Sequence, residues 1–419
     1  MTNGPDRLQD LPSLRQLRCF LLVEQEGSIG RAAEEMGITQ PTASHAIGRL
    51  EKQVGAILLI RHADGTALSH TGELFAVRVL RFFDCLKQGI SALQLTADLK
   101  PDSKLRMVHL RAHVAIAECG TFTAAARSLG ITGPALHRSA RELETLLPRQ
   151  LYKATKAGVG VNAVGEVFAR QMRLALSELV QAREEIVHPR HSAPTPIAVG
   201  ILPLLPKRWI AGVITRAKEL HADSRIEIRE GNYTVLLKEL RWGAIDLIVG
   251  ALQPSSSDAD ISQEPLFADP YVVVVRREHP LARLSLVEPE MLLEHDWVIP
   301  SFNLPRRAIL EEFLSTLPKR PEPAKIWLNT NSPGTTLAAL AGTDCVTLMS
   351  RLQVLMDGLD LAILPIAAPG SDRVVGISTR KDWLPTQRQQ AFLQLCRDMS
   401  PRPGEDGFSR GASALIAGR

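Results

Sequence analysis

The stretch GSIGRAAEEMGITQPTASHAIGRLE, residues 27–51, is the most informative part of the sequence, because it recurs without a gap as GTFTAAARSLGITGPALHRSARELE, residues 120–144. The two copies are offset by 93 residues, and about 17 of roughly 60 aligned positions are identical when the flanking sequence is included. This spacing is far too long for a solenoid repeat. The chain is therefore predicted to carry two copies of one domain.

Each copy has the spacing of two short helices joined by a tight turn. Ser28 is suited to cap the first helix, Gly37 to end it, and Thr39 to cap the second. The second helix has an apolar stripe at helical spacing, formed by Ala43, Ile47, Leu50 and Val54. Its other face is polar and basic, which predicts a helix-turn-helix whose second helix enters the major groove of DNA.

These residues resemble the LysR-type transcriptional regulators. The alanine pair Ala32-Ala33, the Gln40-Pro41 start of the second helix, Ser44 and the Leu50-Glu51 pair fall where that family has them. Copy 1 departs from the family pattern at His45, where arginine is usual. Copy 2 departs further, with Gly133 for the glutamine and His137 for the serine, although Arg138 restores a basic residue. The resemblance implies a winged helix-turn-helix in each copy, with ILLIRHADGTALSHTGE as the first wing.

Double-stranded DNA is the partner that this resemblance implies. In copy 1 we expect base and backbone contacts from the recognition helix and the wing, namely from Gln40, Pro41, Thr42, Ser44, His45, Arg49 and Arg61. In copy 2 the remaining cations suit phosphates better than bases, and they are Arg138, Arg141, Lys153 and Lys156. The alternative is that both copies read sequence.

Each copy continues into a long amphipathic segment, predicted as helices over residues 73–97 and 166–187. In the first, Leu74, Val77 and Leu80 begin an apolar series at helical spacing. In the resembled family this linker helix pairs antiparallel with that of a second subunit, which implies a homo-oligomer, a dimer or tetramer. Because this chain has two such helices, we hypothesise that they pair within the chain, so that one chain imitates a family dimer.

Beyond the proline-rich segment HPRHSAPTP, residues 188–196, strand-like and helical stretches alternate, which predicts an α/β domain with parallel sheets. Short segments follow one another here in the order Glu230-Gly231, Glu264-Pro265-Leu266, His279-Pro280-Leu281-Ala282 and Leu340-Ala341-Gly342. Through them this part resembles the LysR-type effector domain, two lobes of the periplasmic-binding-protein type 2 fold. The predicted domains are 1–99 and 100–191 for the two winged modules with their linker helices, 192–403 for the effector domain and 404–419 for a disordered tail.

The resemblance implies an effector pocket between the lobes. Mapped residue by residue, it is lined by Leu202, Pro203, Ser301, Phe302 and Asn303. Helix starts at these positions would offer free backbone N–H groups, which suit a small organic acid as inducer. The alternative is that Pro203 and Ser301 merely begin helices.

Other classes of protein receive little support from the sequence. No apolar run reaches the length of a membrane span and no signal peptide is recognisable, so a cytoplasmic location is expected. The five cysteines are scattered, and His109 and His113 have no further metal ligands nearby, so neither metal nor cofactor is predicted. The Gly-x-Ser-x-Gly elbow of hydrolases, the P-loop and the HExxH zinc pair are missing, which argues against an enzyme. A solute-binding protein with degenerate helical N-terminal modules would explain residues 196–400 but not the repeats.

Overall fold

In a computed structural model the chain divides into two compact units, Met1–Thr195 with Arg241–Gly243, and Pro196–Leu240 with Ala244–Arg419. The structure describes residues 11–62, 65–95, 104–155, 158–186, 195–253, 259–301, 305–316, 325–367 and 373–401. The predicted tail at 404–419 lies outside these residues.

The first unit contains both sequence repeats, and each folds as three helices, a two-stranded wing and a long helix. In copy 1 these elements are α1 (Leu14–Glu26), α2 (Ile29–Glu35), α3 (Gln40–Val54), β1 (Leu59–His62), β2 (Gly65–Leu68) and α4 (His70–Ala92). In copy 2 they are α5 (Met107–Cys119), α6 (Phe122–Leu129), α7 (Gly133–Leu146), β3 (Tyr152–Thr155), β4 (Gly158–Val161) and α8 (Ala163–Ile186). Each wing is an antiparallel hairpin. The winged helix-turn-helix prediction is confirmed for both copies.

Each copy has the same internal contact between its recognition helix and its wing. Glu51 at the end of α3 accepts hydrogen bonds from the backbone N–H groups of Leu58 and Leu59, at 2.8 and 3.1 Å. Glu144 does the same in copy 2 for the two residues that enter its wing. The repeated glutamate is therefore a structural residue that ties the recognition helix to the wing.

The long helices α4 and α8 pack against each other, antiparallel, within the chain. Near the start of α4, Arg78 donates hydrogen bonds to Glu178 and Glu185 near the end of α8, all at 2.8–3.0 Å. Near the end of α4, a β-carbon at Gly89 would lie 2.7 Å from Met172 Cε and 3.1 Å from Gln171 Cβ, so a larger residue there would require side chains of α8 to shift. The hypothesis of intrachain pairing is confirmed.

The predicted apolar face of the first linker helix is wrong in part. Val77 is 47% exposed and Leu80 is 43% exposed, whereas the buried face carries Phe75, Val79 and Phe82. The helix also begins earlier and ends earlier than predicted. The reason is that Arg78 occupies the buried face, where a pattern of apolar residues does not anticipate a charge.

The second unit has two lobes. The first lobe is formed by β5 (Ile197–Ile201), α9 (Lys207–Leu220), β6 (Ile226–Glu230), α10 (Tyr233–Trp242), β7 (Leu247–Ala251), β8 (Ile261–Ala268), β14 (Val374–Arg380) and α14 (Gln387–Asp398). Its five-stranded sheet has the order β6-β5-β7-β14-β8. The three strands β6, β5 and β7 are parallel, as expected, but β14 runs antiparallel to both of its neighbours.

The second lobe is entered through β9 (Tyr271–Arg276) and left through β13 (Leu361–Ala367). Between them lie β10 (Trp297–Ile299), α11 (Pro305–Thr316), β11 (Ile326–Asn329), α12 (Pro333–Gly342), β12 (Thr347–Ser350) and α13 (Arg351–Met356). The sheet β12-β9-β13 is antiparallel, whereas β10 is parallel to β11, and Trp297 of β10 also forms a parallel bridge to Val346, next to β12. The expectation of parallel sheets is therefore wrong in part for this lobe, because its strand β9 arrives from the first lobe and runs antiparallel to both of its neighbours.

None of the helices in the described ranges combines the length and apolar character needed to cross a membrane.

Candidate nucleic-acid interface and effector site

The recognition helix of copy 1 presents its first turns to solvent. Thr39 caps α3 by accepting from the backbone N–H of Thr42, and Pro41 fits the first turn, where its missing N–H is not needed. Gln40, Thr42 and His45 are exposed, and Ser44 is half-buried. The buried stripe of the helix is the predicted one.

Several polar side chains of this surface are uncommitted. Gln40, His45, Arg49 and Arg61 make no side-chain hydrogen bond or ion pair with any residue that the structure describes, and all four are exposed. Thr42 differs, because its hydroxyl lies 2.8 Å from that of Thr39 and is already shared. Free donors and acceptors on an exposed helix start are what base readout requires.

The recognition helix of copy 2 has a different surface. Arg138 and Arg141 are exposed and unpaired among the described residues, and Lys153 is exposed on β3. His137 stacks on Phe122, with ring centroids 4.5 Å apart and planes 17° apart, so its ring is engaged within the module. Lys156 lies outside the described residues.

An acidic residue occupies the position in copy 2 that Arg49 has in copy 1. This residue, Glu142, contacts Arg106 and lies 3.0 Å from His109 Nε2. The hydrogen bond from His109 and the charge of Arg106 lower the pKa of Glu142, although partial desolvation opposes them. The sequence interpretation missed this cluster, although the offset of 93 between the copies aligns Glu142 with Arg49.

The two histidines of α5 have separate partners. His113 is buried, with Nδ1 2.9 Å from the Tyr152 hydroxyl and Nε2 2.9 Å from the carbonyl oxygen of Gly165. Because a carbonyl can only accept, Nε2 carries the proton and Nδ1 accepts from Tyr152. Burial lowers the pKa of His113 to about 4. His113 is thus a neutral core residue, while its neighbour His109 belongs to the Glu142 cluster.

Cations surround an open groove between the start of α5 and the outer face of α7. Its lining includes Lys104, Arg106, His109, Arg138, Arg141 and Glu142. Four arginine or lysine side chains face one carboxylate there, so the groove carries a net positive charge. It is a surface that can hold phosphate groups.

The predicted effector residues of the first lobe are only partly accessible. Leu202 is buried, and it packs with Leu236, Leu240 and Ile248 in the core of that lobe. Pro203 is half-buried in the loop that follows β5. In the second lobe Ser301 is half-buried after β10, while Phe302 and Asn303 lie outside the described residues.

The backbone donors expected at the helix starts are already used. Asp357 accepts from the N–H groups of Lys207 and Arg208 in the first turn of α9, at 3.1 and 2.9 Å. The N–H of Ser301 donates to Asn331 Oδ1 at 3.0 Å. The expectation of free N–H groups is therefore wrong for the first turn of α9 and for Ser301, because side chains of the same unit accept from them. Phe302 and Asn303 are not among the described residues, so the expectation is not tested there.

Buried charged residues meet instead where the chain crosses between the lobes. Arg373 forms a fully buried ion pair with Asp269, which also accepts from the Ser350 hydroxyl at 2.6 Å. Arg373 additionally donates to the carbonyl oxygen of Leu204, in the loop after β5. Arg306, at the start of α11, is also buried. The sequence interpretation missed this cluster, since Arg306 and Arg373 are 67 residues apart and no local motif links them.

Comparison with known proteins agrees with this architecture. Residues 190–401 match the LysR substrate binding domain, and residues 14–73 and 107–166 each match the bacterial regulatory helix-turn-helix protein, lysR family. The chain belongs to the LysR family of transcriptional regulators. It is a DNA-binding regulator with an effector-binding domain and not an enzyme, and the solute-binding alternative is not favoured. Regulators of this family bind DNA and small-molecule effectors and are oligomeric.

Two relatives show how far the likeness extends. The regulator GalR of Pseudomonas putida is 28% identical over 393 residues, which are 93% of this chain and 98% of GalR. The regulator PcaQ of Agrobacterium fabrum is 29% identical over 301 residues, 71% of this chain and 96% of PcaQ. The two alignments differ by 92 residues (393 less 301), close to the offset between the repeats. The alignment with GalR is therefore long enough to include both modules.

The fold is also that of a solved regulator. A full-length variant of OxyR from Pseudomonas aeruginosa matches with a TM-score of 0.54 and 22% identity, over 70% of this chain and 93% of the OxyR chain.

Proposed function

We propose that one chain of this regulator presents two recognition helices to DNA. Copy 1 contacts bases and copy 2 contacts phosphates, and a small organic acid bound to the effector domain controls this binding. The observation that carries this proposal is the antiparallel pairing of α4 with α8 inside the chain. In a protein with one module per chain, such a pairing requires a second subunit.

The register of the helix pair supports an internal two-fold arrangement. Arg78 contacts Gln181 at 2.8 Å. The position equivalent to Arg78 in copy 2 is Gln171, and the position equivalent to Gln181 in copy 1 is Gln88, each offset by 93 residues. Gly89, next to Gln88, lies against Gln171. The contacts at the two ends of the helix pair are thus related by exchange of the copies, as in an isologous dimer interface.

The two recognition helices would contribute different kinds of contact. Gln40 can pair with adenine through two hydrogen bonds, and it is exposed and uncommitted among the described residues. Copy 2 has Gly133 at that position and, one helical turn later, a histidine that stacks inside its own module. Its exposed Arg138 and Arg141 beside the basic groove suit the DNA backbone.

Footprinting and titration with the full-length protein on its own upstream DNA test this proposal. We expect Gln40→Ala to weaken binding to the specific site by about 1–3 kcal/mol and binding to random DNA very little, because base contacts carry specificity. Arg49→Ala is the matched control, since loss of a phosphate contact weakens binding to both DNAs alike. Equal losses on both DNAs for Gln40→Ala would contradict base reading by copy 1.

For the effector, the buried charges between the lobes favour an organic anion. The cluster around Arg306 and Arg373 is positively charged in a region of low exposure, and an anion entering it would be stabilised. An anion that binds only the folded protein would raise the melting temperature of the full-length chain. Homo-oligomers would then form between chains that each already contain a paired set of linker helices.

A further inference from the structure

Arg306 is a buried cation without a carboxylate partner among the described residues. Its exposed fraction is 8%, and its one hydrogen bond there runs from Nη1 to the backbone carbonyl oxygen of Leu348, at 3.0 Å. Its remaining N–H groups have no acceptor in the described ranges. The adjacent Arg307 differs, because its Nε lies 2.6 Å from Glu311.

The surroundings of Arg306 add positive charge to this site. Burial lowers the pKa of Arg306, Tyr271 opposes the lowering, and the positive charge of Arg373 adds to it. The one buried carboxylate nearby in the described chain, Asp269, already accepts from Arg373, Ser350 and the backbone N–H of Leu352. Asp269 therefore cannot also neutralise Arg306.

Arg373 also has an unused donor. Its Nη1 is bound to Asp269 and its Nη2 donates to Leu204 at 3.1 Å, but its Nε is buried and has no acceptor in the part of the chain that the structure describes. A buried N–H without a partner costs about 1–3 kcal/mol, and an unpaired buried charge costs more. Each of the two guanidinium groups at the crossing between the lobes thus has at least one N–H group without an acceptor among the described residues.

We propose that Arg306, with Arg373 beside it, binds the carboxylate group of the effector. This inference rests on the proposed function as a ligand-responsive regulator, and it assigns recognition of the effector's carboxylate to a side chain of the second lobe. A guanidinium group offers two parallel N–H donors, which match the two oxygens of a carboxylate. One uncompensated positive charge matches one carboxylate group rather than a doubly charged phosphate.

The effector would also connect the two lobes. Arg306 belongs to α11 in the second lobe, whereas Arg373 holds the loop after β5 in the first lobe through Leu204. A carboxylate bound to both arginines would draw these parts together. Effector binding is then coupled to the arrangement of the lobes, because the ligand stabilises only the arrangement in which both arginines reach it.

The first arm of the test needs no ligand. Arg306→Met in the full-length chain removes an uncompensated buried charge, so we expect its melting temperature without added anions to rise by about 5 °C. Arg307→Met is the matched control, and it should lower the melting temperature because it leaves Glu311 without its partner. A lower melting temperature for Arg306→Met would overturn the proposal.

The second arm measures binding of acetate and benzoate, with inorganic phosphate and sulfate for comparison. We expect the carboxylates to stabilise the wild-type chain by roughly 5–10 °C at about 100 times their Kd, and Arg306→Met to bind them at least about 30-fold more weakly. Arg306→Lys keeps the charge but loses the paired donors, so it should also bind them weakly. Equal carboxylate binding by wild type and Arg306→Met, no carboxylate shift in wild type, or a shift with phosphate and sulfate alone would overturn the proposal.

DNA binding separates this inference from the proposed function. Arg306→Met should bind the specific site in the absence of carboxylate as the wild type does, because Arg306 lies outside both winged modules. If the wild type fails to bind DNA but shows the Arg306-dependent shift, the proposed function is wrong and the anion site stands. If DNA binding is intact and the shift is missing, only the anion site is wrong.

Discussion

At the scale of single residues, the same chemical group has different consequences according to what surrounds it. Arg78 is buried between two carboxylates, Arg306 is buried with none in the described chain, and Arg49 is exposed with no partner in the described ranges. The first stabilises a helix pair, the second is proposed to bind an anionic ligand, and the third is proposed to contact DNA. Identity alone does not separate these roles, because burial and the neighbouring charges decide the free energy of each guanidinium.

His113 leads to a prediction about pH. Its pKa in the folded protein is about 4, below the ordinary 6.5, so the unfolded chain binds more protons between these values. Its contribution to stability is complete above pH 6.5 and is lost as pH falls toward 4. We expect this group to remove about 2 kcal/mol from the free energy of unfolding between about pH 7 and pH 5.

Urea unfolding of the full-length chain at both pH values measures this loss. His113→Phe should be less stable at neutral pH, because it leaves Tyr152 and Gly165 without their partner, but its stability should depend less on pH. His70→Gln, at an exposed position, is the control and should keep the wild-type dependence. The same pH dependence in His113→Phe and in wild type would show that His113 is not the titrating group.

At the scale of elements, the pairing of α4 with α8 depends on a buried charge network and on one glycine. The Arg78 side chain is 1% exposed, and it bonds Glu178, Gln181 and Glu185. Gly89 allows the close approach at the other end of the pair. Ion pairs of this kind gain little over apolar packing, but they are costly to break from one side.

Arg78→Met is therefore expected to lower the free energy of unfolding by about 3–5 kcal/mol, because buried Glu178 keeps only Arg81 and the partly buried Glu185 loses its arginine. Adding Glu178→Gln and Glu185→Gln to it should recover most of that loss, since both carboxylates are then replaced by neutral amides. Arg81→Met is the control, because Arg81 contacts the same Glu178 but is 29% exposed, and it should cost less than about 1 kcal/mol. Urea titration of wild type and the three variants measures these differences. No recovery in the triple variant would show that the charges are not the cause.

At the scale of the whole molecule, the duplication gives a single chain two recognition helices that are not equivalent. A symmetric dimer reads two equal half-sites, since its two-fold axis repeats the same contacts. Here Gln40 and Arg49 of copy 1 correspond to Gly133 and Glu142 of copy 2. The chain is therefore expected to bind a DNA site whose two halves differ. One half has a defined base sequence, and the other half can vary in base sequence.

Replacing Arg138 and Arg141 together by alanine tests this asymmetry. We expect a similar loss of affinity on every DNA sequence and a salt dependence flatter by about two units, because two phosphate contacts are removed. Arg216→Ala with Arg277→Ala, two exposed residues of the second unit, removes the same charge and should leave the salt dependence unchanged. Altered base preference at a separate half-site would mean that copy 2 reads sequence.

The two winged modules and their recognition helices could be predicted from the sequence, because local signals are sufficient for these elements. Helix caps, turn glycines and an apolar stripe act between residues that are neighbours in the chain, and they recur in both copies at the same offset. The sequence also indicated the two-lobed effector domain, through an ordered series of short matches to a family.

Which buried charges have a partner could not be predicted from the sequence and is seen in the folded chain. The Arg78 network joins residues about 100 positions apart, and it buries a face of α4 that hydrophobic periodicity had left unassigned. Asp357 caps a helix that begins 150 residues earlier, so donors that the sequence suggested were free are in use. Arg306 remains without a carboxylate in the described chain for the converse reason, since Asp269 is committed to Arg373. Long-range pairing of buried polar groups has no local pattern, because it depends on which elements the fold brings together.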